Sequence, residues 1–156
     1  MAELKARLQS DLAAAIKNRE TVRMASLRMA LAAVTTEEVA GDTARELTDD
    51  EVQRVLTREV KKRKEAAEAF AGAGRTEQAQ AERDESAVLS EYLPAQLADD
   101  ELESLVAAAV AEVTEQLGEA PGQRQMGQVM KAANAKVAGR AEGGRVAAAV
   151  RAHLTA

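Results

Sequence analysis

Apolar residues recur every four positions at the start of the chain. Leu4, Leu8, Leu12 and Ile16 lie along one side of a predicted helix. The polar run Lys17-Asn18-Arg19-Glu20 is expected to break it. Val22, Leu27, Leu31 and Val34 then form the inward side of a second helix, which Gly41-Asp42 ends. Thr48-Asp49-Asp50-Glu51 has the form of a capping box, in which the Thr48 hydroxyl accepts from the Glu51 amide and the Glu51 carboxylate reaches back. The helix it opens places Val52, Val55, Leu56, Val60 and Phe70 inward and runs to Gly72. Its other face holds Arg54, Arg58, Lys61, Lys62, Arg63 and Lys64, interspersed with glutamates that can pair with them, so it reads as a solvated face. After a turn at Ala71-Gly72-Ala73-Gly74, Thr76 is expected to cap a helix that brings Ala79, Val88, Leu89 and Tyr92 to one side. The last two helices predict an antiparallel hairpin.

Leu93-Pro94-Ala95-Gln96-Leu97 interrupts the helical pattern. Pro94 lacks a backbone donor and pushes Leu93 away from helical geometry. Asp99-Asp100-Glu101 then sets acid at a helix N-terminus, where the dipole favours it. Leu102, Leu105, Val106, Ala109, Val110, Val113 and Leu117 form that helix's apolar face, and Gly118 closes it. Two shorter patterns follow, over 126–137 and 142–154, burying Met126, Val129, Met130 and Ala133, then Val146, Val150 and Leu154. No strand pattern and no repeat is visible. The fold class is all-α: an N-terminal helical bundle over residues 1–93, then a small C-terminal three-helix domain over 94–156.

Composition narrows the picture. With one Phe, one Tyr and no Trp, the core rests on Leu, Val, Met and Ala, which lets helices approach closely. No cysteine is present, so neither a disulfide framework nor a thiolate site is available. The first residues, "MAELKARLQSDL", lack the apolar core of a signal peptide. No stretch approaches the roughly 18 apolar residues of a membrane span. A cytoplasmic protein with no membrane partner is the expectation.

The net charge is −5, unevenly spread. Residues 1–117 carry 15 Lys/Arg against 24 Asp/Glu, whereas 118–156 carry 6 against 2. An acidic body with a basic tail suggests modules with different partners.

Candidate chemistry is sparse. The acidic clusters at 49–51 and 99–101 are accounted for by helix N-termini, so no metal site is expected. His153, the only histidine, has no Glu-x-x-His partner and no nucleophile beside it. No phosphate-binding glycine loop is present, and Ser26, Ser86, Ser90 and Ser104 have no evident activating base. No cofactor and no catalytic residue is assigned. The tail differs: Lys131, Lys136, Arg140, Arg145 and Arg151, with Arg124 upstream, have only Glu119 and Glu142 as tail acids. Gly139 permits close approach of another backbone, and Gly143-Gly144 stands at a helix start with free amides. Cations beside free amides make an anion site suited to a phosphate backbone. The other reading, in which Gly139 is only a helix C-cap and the arginines keep the tail soluble, stays open. Without aromatic residues there, an RNA contact would read shape and phosphates rather than stacked bases.

"YLPAQL" at 92–97, "DDEL" at 99–102 and "MGQVMK…KVAGRAEGGRV" at 126–146 resemble the GatB/YqeY family, while "SLRMALAAV" and "LTDDEV…REVKKRKEAAEAF" resemble its free-standing YqeY-like members. The resemblance covers nearly the whole chain. It implies a helical bundle followed by a domain similar to the tail of the B subunit of glutamine-dependent aminoacyl-tRNA amidotransferases. The family carries a carbon–nitrogen ligase label with glutamine as amido donor, but this chain lacks the larger enzyme's catalytic parts, so the binding role is the part carried over. The resemblance implies an RNA-binding, most simply tRNA-binding, accessory protein, with an amidotransferase or synthetase as possible protein partner. Lys131, Lys136, Gly139, Arg140 and Gly143 are the motif positions implied to meet RNA, and Arg145 joins them as a neighbouring tail cation. The alternative is a protein-interaction module docking a partner through its acidic helical bundle.

Overall fold

The computed structural model describes residues 2–154. Among them are seven α-helices and no β-strand: α1 (Glu3–Asn18), α2 (Thr21–Glu38), α3 (Asp49–Gly72), α4 (Thr76–Ser90), α5 (Asp99–Leu117), α6 (Met126–Val137) and α7 (Gly143–His153), with a single 3₁₀ turn at Gln123–Gln125. The chain divides into two compact units between Leu93 and Pro94. No helix among the described residues is long and apolar enough to cross a membrane.

In the first unit, α3 and α4 form the expected hairpin, and α1 and α2 pack on each other and on it. The core gathers Leu8, Leu27, Val34, Val52, Leu56 and Leu89, all fully buried, under Leu47 and Tyr92. Thr48 caps α3 as its sequence implies: the Glu51 N–H donates to Thr48 Oγ1 at 3.3 Å, and the Thr48 N–H donates to Glu51 Oε2 at 2.9 Å. Arg45 adds two hydrogen bonds to Glu51, and together they hold that carboxyl at a pKa of about 2. Lys5 on α1 meets Glu38 at the end of α2 at 2.8 Å, and the Leu4 N–H donates to Asp49 at 2.8 Å, so the loop between α2 and α3 is tied at both ends.

Several details differ from the sequence pattern, among them Leu117, expected on the apolar face of α5 but 39% exposed as its last residue. Thr76 is the first residue of α4 rather than its cap; Arg75 precedes it with no side-chain cap bond. Ile16 and Val22, expected inward, are 47% and 46% exposed, because they flank the break between α1 and α2 where neither helix is covered. Arg63, placed by pattern on the solvated face of α3, is buried at 7% exposure. Its Nη1 donates to the Glu59 carboxylate at 2.7 Å and to the Glu59 carbonyl at 3.0 Å. Glu85 of α4 lies 3.5 Å from its Nε. Burial alone would raise the Glu59 pKa, but hydrogen bonds from Arg63 and Lys62 bring it below the usual range. At Glu85 burial prevails, helped by Glu82, and the pKa is raised.

In the second unit, α5, α6 and α7 each pack on the other two. Their shared core is Val106, Ala109, Val113, Val129, Ala133, Val137, Val146 and Val150, closed by Leu97, Leu102 and Ala141. Valine and alanine dominate, which keeps the helices close. Glu101 reaches back to the Ala98 N–H at 3.4 Å, and Gly118, at φ +78°, ends α5 in the left-handed conformation that glycine adopts without a steric penalty.

Candidate nucleic-acid interface

The joint between α6 and α7 is where the sequence concentrates glycine and positive charge. α6 ends at Val137; its C-cap residue Ala138 adopts φ +51°, and Gly139 follows at φ +78°. Two successive left-handed residues turn the chain sharply, and the second is exposed. Arg140 folds back over the end of α6. Its Nε donates to the Val137 carbonyl at 3.2 Å and its Nη2 to the Lys136 carbonyl at 3.4 Å, so the guanidinium satisfies carbonyls that the helix leaves unpaired.

The start of α7 carries a carboxylate of its own. Glu142 is its N-cap residue, and a Cβ on Gly144 would stand 3.0 Å from Glu142 Oε1. The protein's own carboxylate therefore lies over the first turn, where the helix dipole favours negative charge. Glu142 makes no side-chain capping hydrogen bond, so its carboxylate stands near the amides of Gly143-Gly144 without occupying them. Gly143 and Gly144 remain exposed.

Two of the tail cations are also paired, by acids that the sequence places upstream of the basic segment. Lys136 Nζ meets Glu112 of α5 at 3.0 Å. Arg145 Nη2 meets Asp99 at 2.9 Å and also donates to the Leu97 carbonyl at 2.9 Å. His153 pairs with Glu103, again on α5. A basic tail starting at residue 118 is thus a boundary drawn through one folded unit. Over 94–156 there are six Lys/Arg and eight Asp/Glu, and the acids of α5 lie against α6 and α7.

What remains uncompensated is the outer side of α6. From 120 to 141 the chain holds Arg124, Lys131, Lys136 and Arg140 and no acidic residue. Gly127, Gln128, Lys131, Asn134 and Ala135 are all exposed and share one face by their i, i+3, i+4 spacing. Among the described residues, no acid pairs with Arg124, Lys131 or Arg151. Side chains on the α6 face are short apart from Gln128 and Lys131, so a phosphate backbone can approach the helix closely. Asn134, one turn beyond Lys131, supplies both a donor and an acceptor. Sequence reasoning passed over Asn134, although its i+3 spacing from Lys131 is legible. Of the six residues singled out, Lys131, Gly139 and Gly143 are exposed, whereas Lys136, Arg140 and Arg145 each hold other parts of the unit.

Tested against models of known protein families, residues 5–154 match the family described as Yqey-like protein. No curated protein matches the chain.

Proposed function

Because the chain belongs to the family of Yqey-like proteins, we propose that it is an RNA-binding accessory protein whose contact surface is the outer face of α6 and the joint that follows it. The observation that carries this reading is the acid-free segment from 120 to 141, with Lys131 exposed and unpaired beside short neighbours. The resemblance of the tail to the domain that ends amidotransferase B subunits makes tRNA the substrate of choice. Lys131 and Arg140 supply charge, Asn134 a polar contact and Gly139 room for the backbone. Lys136 contributes after exchanging Glu112 for a phosphate. Phosphate contacts of this kind position an RNA by shape and carry no base readout.

The test is tRNA binding as a function of salt. Two or three displaced counterions give a log–log slope of about −2 to −3. Lys131→Glu combined with Arg140→Glu is expected to abolish measurable affinity while helix content is retained. A flat salt response, or affinity unchanged in that variant, overturns the proposal.

A second reading is supported by α2. Val22, Ala25, Met29 and Ala32 face outward on one line, with Val22 46% and Met29 39% exposed, so this bundle helix carries apolar residues on both sides. That favours protein docking through the bundle. Recovery of partners from cells with and without nuclease separates the two: RNA-dependent recovery supports the first, nuclease-resistant recovery lost in Val22→Glu the second.

A further inference from the structure

Met29 sits in the middle of the outward line on α2 and is 39% exposed, whereas Met24, Met126 and Met130 are half-buried. Its Sδ accepts a hydrogen bond from Nη2 of Arg63 at 3.5 Å. The buried Arg63 guanidinium spends Nη1 on Glu59, while its Nε makes no hydrogen bond and stands 3.5 Å from Glu85. Nε and Nη2 share one edge of the guanidinium plane. That edge faces a thioether, a weak acceptor, so a buried cation keeps donor capacity beside the sulfur of a part-exposed methionine.

We propose that Met29 is a site of reversible oxidation by hydroperoxides, with the resulting sulfoxide held by the Nε–Nη2 edge of Arg63. The sulfur lone pair attacks one peroxide oxygen. An S–O bond forms as the O–O bond breaks, and the departing hydroxide or alkoxide takes up a proton to leave as water or alcohol. Sulfur gives up two electrons and the peroxide accepts them. The sulfoxide oxygen carries substantial negative charge, so a weak N–H···S contact becomes a charge-assisted N–H···O bond. No cysteine in the chain competes for the oxidant. Reversal requires a dithiol reductase of the methionine sulfoxide class, which releases the oxygen as water and forms a disulfide. The inference does not depend on RNA binding.

The experiment treats the full chain with dilute hydrogen peroxide and follows each methionine by peptide mass spectrometry, with Met1 scored separately. Met29 is expected to oxidise about five-fold or more faster than Met24, Met126 and Met130. Chain oxidised at Met29 is expected to melt no lower than the reduced chain. In Arg63→Lys, which keeps the charge but loses the edge, the same oxidation is expected to lower the melting midpoint. Equal rates at the four methionines, or a lowered midpoint in the oxidised wild-type chain, overturns the proposal, whether or not the Arg63 variant folds.

Discussion

Arg145 and Leu97 are bound through the backbone. The guanidinium donates to the Leu97 carbonyl at 2.9 Å, and the Leu97 N–H donates to the carbonyl of Arg140, five residues before Arg145, at 2.7 Å. Both polar groups of Leu97 are thus satisfied by the α6–α7 joint, while its side chain, 6% exposed, closes the core of the second unit. The segment that enters α5 is strapped to the far end of the same unit. Arg145→Ala is expected to destabilise the chain by about 1–3 kcal/mol, the range for a hydrogen bond to a charged donor. Denaturant unfolding of the variant checks it. tRNA affinity should fall less than in Lys131→Glu.

Lys136 is a reserve cation. Its partner Glu112 is half exposed, and pairs of that kind contribute about 0–1 kcal/mol. Glu112→Gln should therefore leave the melting midpoint nearly unchanged. It should raise tRNA affinity several-fold and steepen the salt slope by about one, since one more phosphate is neutralised without competition. Filter binding at several salt concentrations measures both, and an unchanged slope would remove Lys136 from the interface.

Arg63 is the opposite case, a cation committed to the interior. Arg63→Ala leaves Glu59 and Glu85 as carboxylates without their buried partner, and should cost about 3–5 kcal/mol. Replacing Glu59 with Leu and Arg63 with Met together should cost less, because the Glu59–Arg63 pair then leaves as a unit and only Glu85, whose burial already favours its protonated form, loses its partner. Comparing the single and double variants by denaturant unfolding decides whether the pair or the packing matters more.

The helices were legible because their signals are local. The capping box at Thr48, the break at Pro94 and the glycine at 118 each act within a turn of the residue that carries them. The site was less legible because pairing is not local. Glu112 is 24 residues from Lys136 and Asp99 is 46 from Arg145, so counting neighbours along the chain left both cations unmatched. Arg63 misled for a related reason: it lies in a run of exposed lysines, and only the approach of α2 and α4 shows that it is covered. Glu142 is the instructive exception. It sits within two residues of the glycines, and its acid at a helix start could have been read as a charge that competes there with an outside anion.

Tyr92 gives the sharpest dependence on pH. It is the only tyrosine, so tyrosinate absorbance reports it alone. Its hydroxyl donates to Asp11 at 2.5 Å and accepts from Arg23 at 3.0 Å, while the Arg7 guanidinium stands 4.6 Å from the ring centroid. Burial, then the Asp11 carboxylate, pushes its pKa up to about 12, with Arg23 opposing. The folded chain holds this proton more tightly than the unfolded chain, whose value is 10.0. The stability it contributes is therefore complete below pH 10.0 and lost as pH rises through about 12. Titration of the native chain should show tyrosinate appearing only near pH 12, together with loss of helix in the first unit. Asp11→Asn should move that midpoint down, because the carboxylate that opposes ionisation is gone. Tyr92→Phe should cost about 1 kcal/mol at neutral pH and weaken the alkaline transition. A tyrosine titrating near 10.0 with helix content intact would show that α1, α2 and the end of α4 are not joined through this hydroxyl.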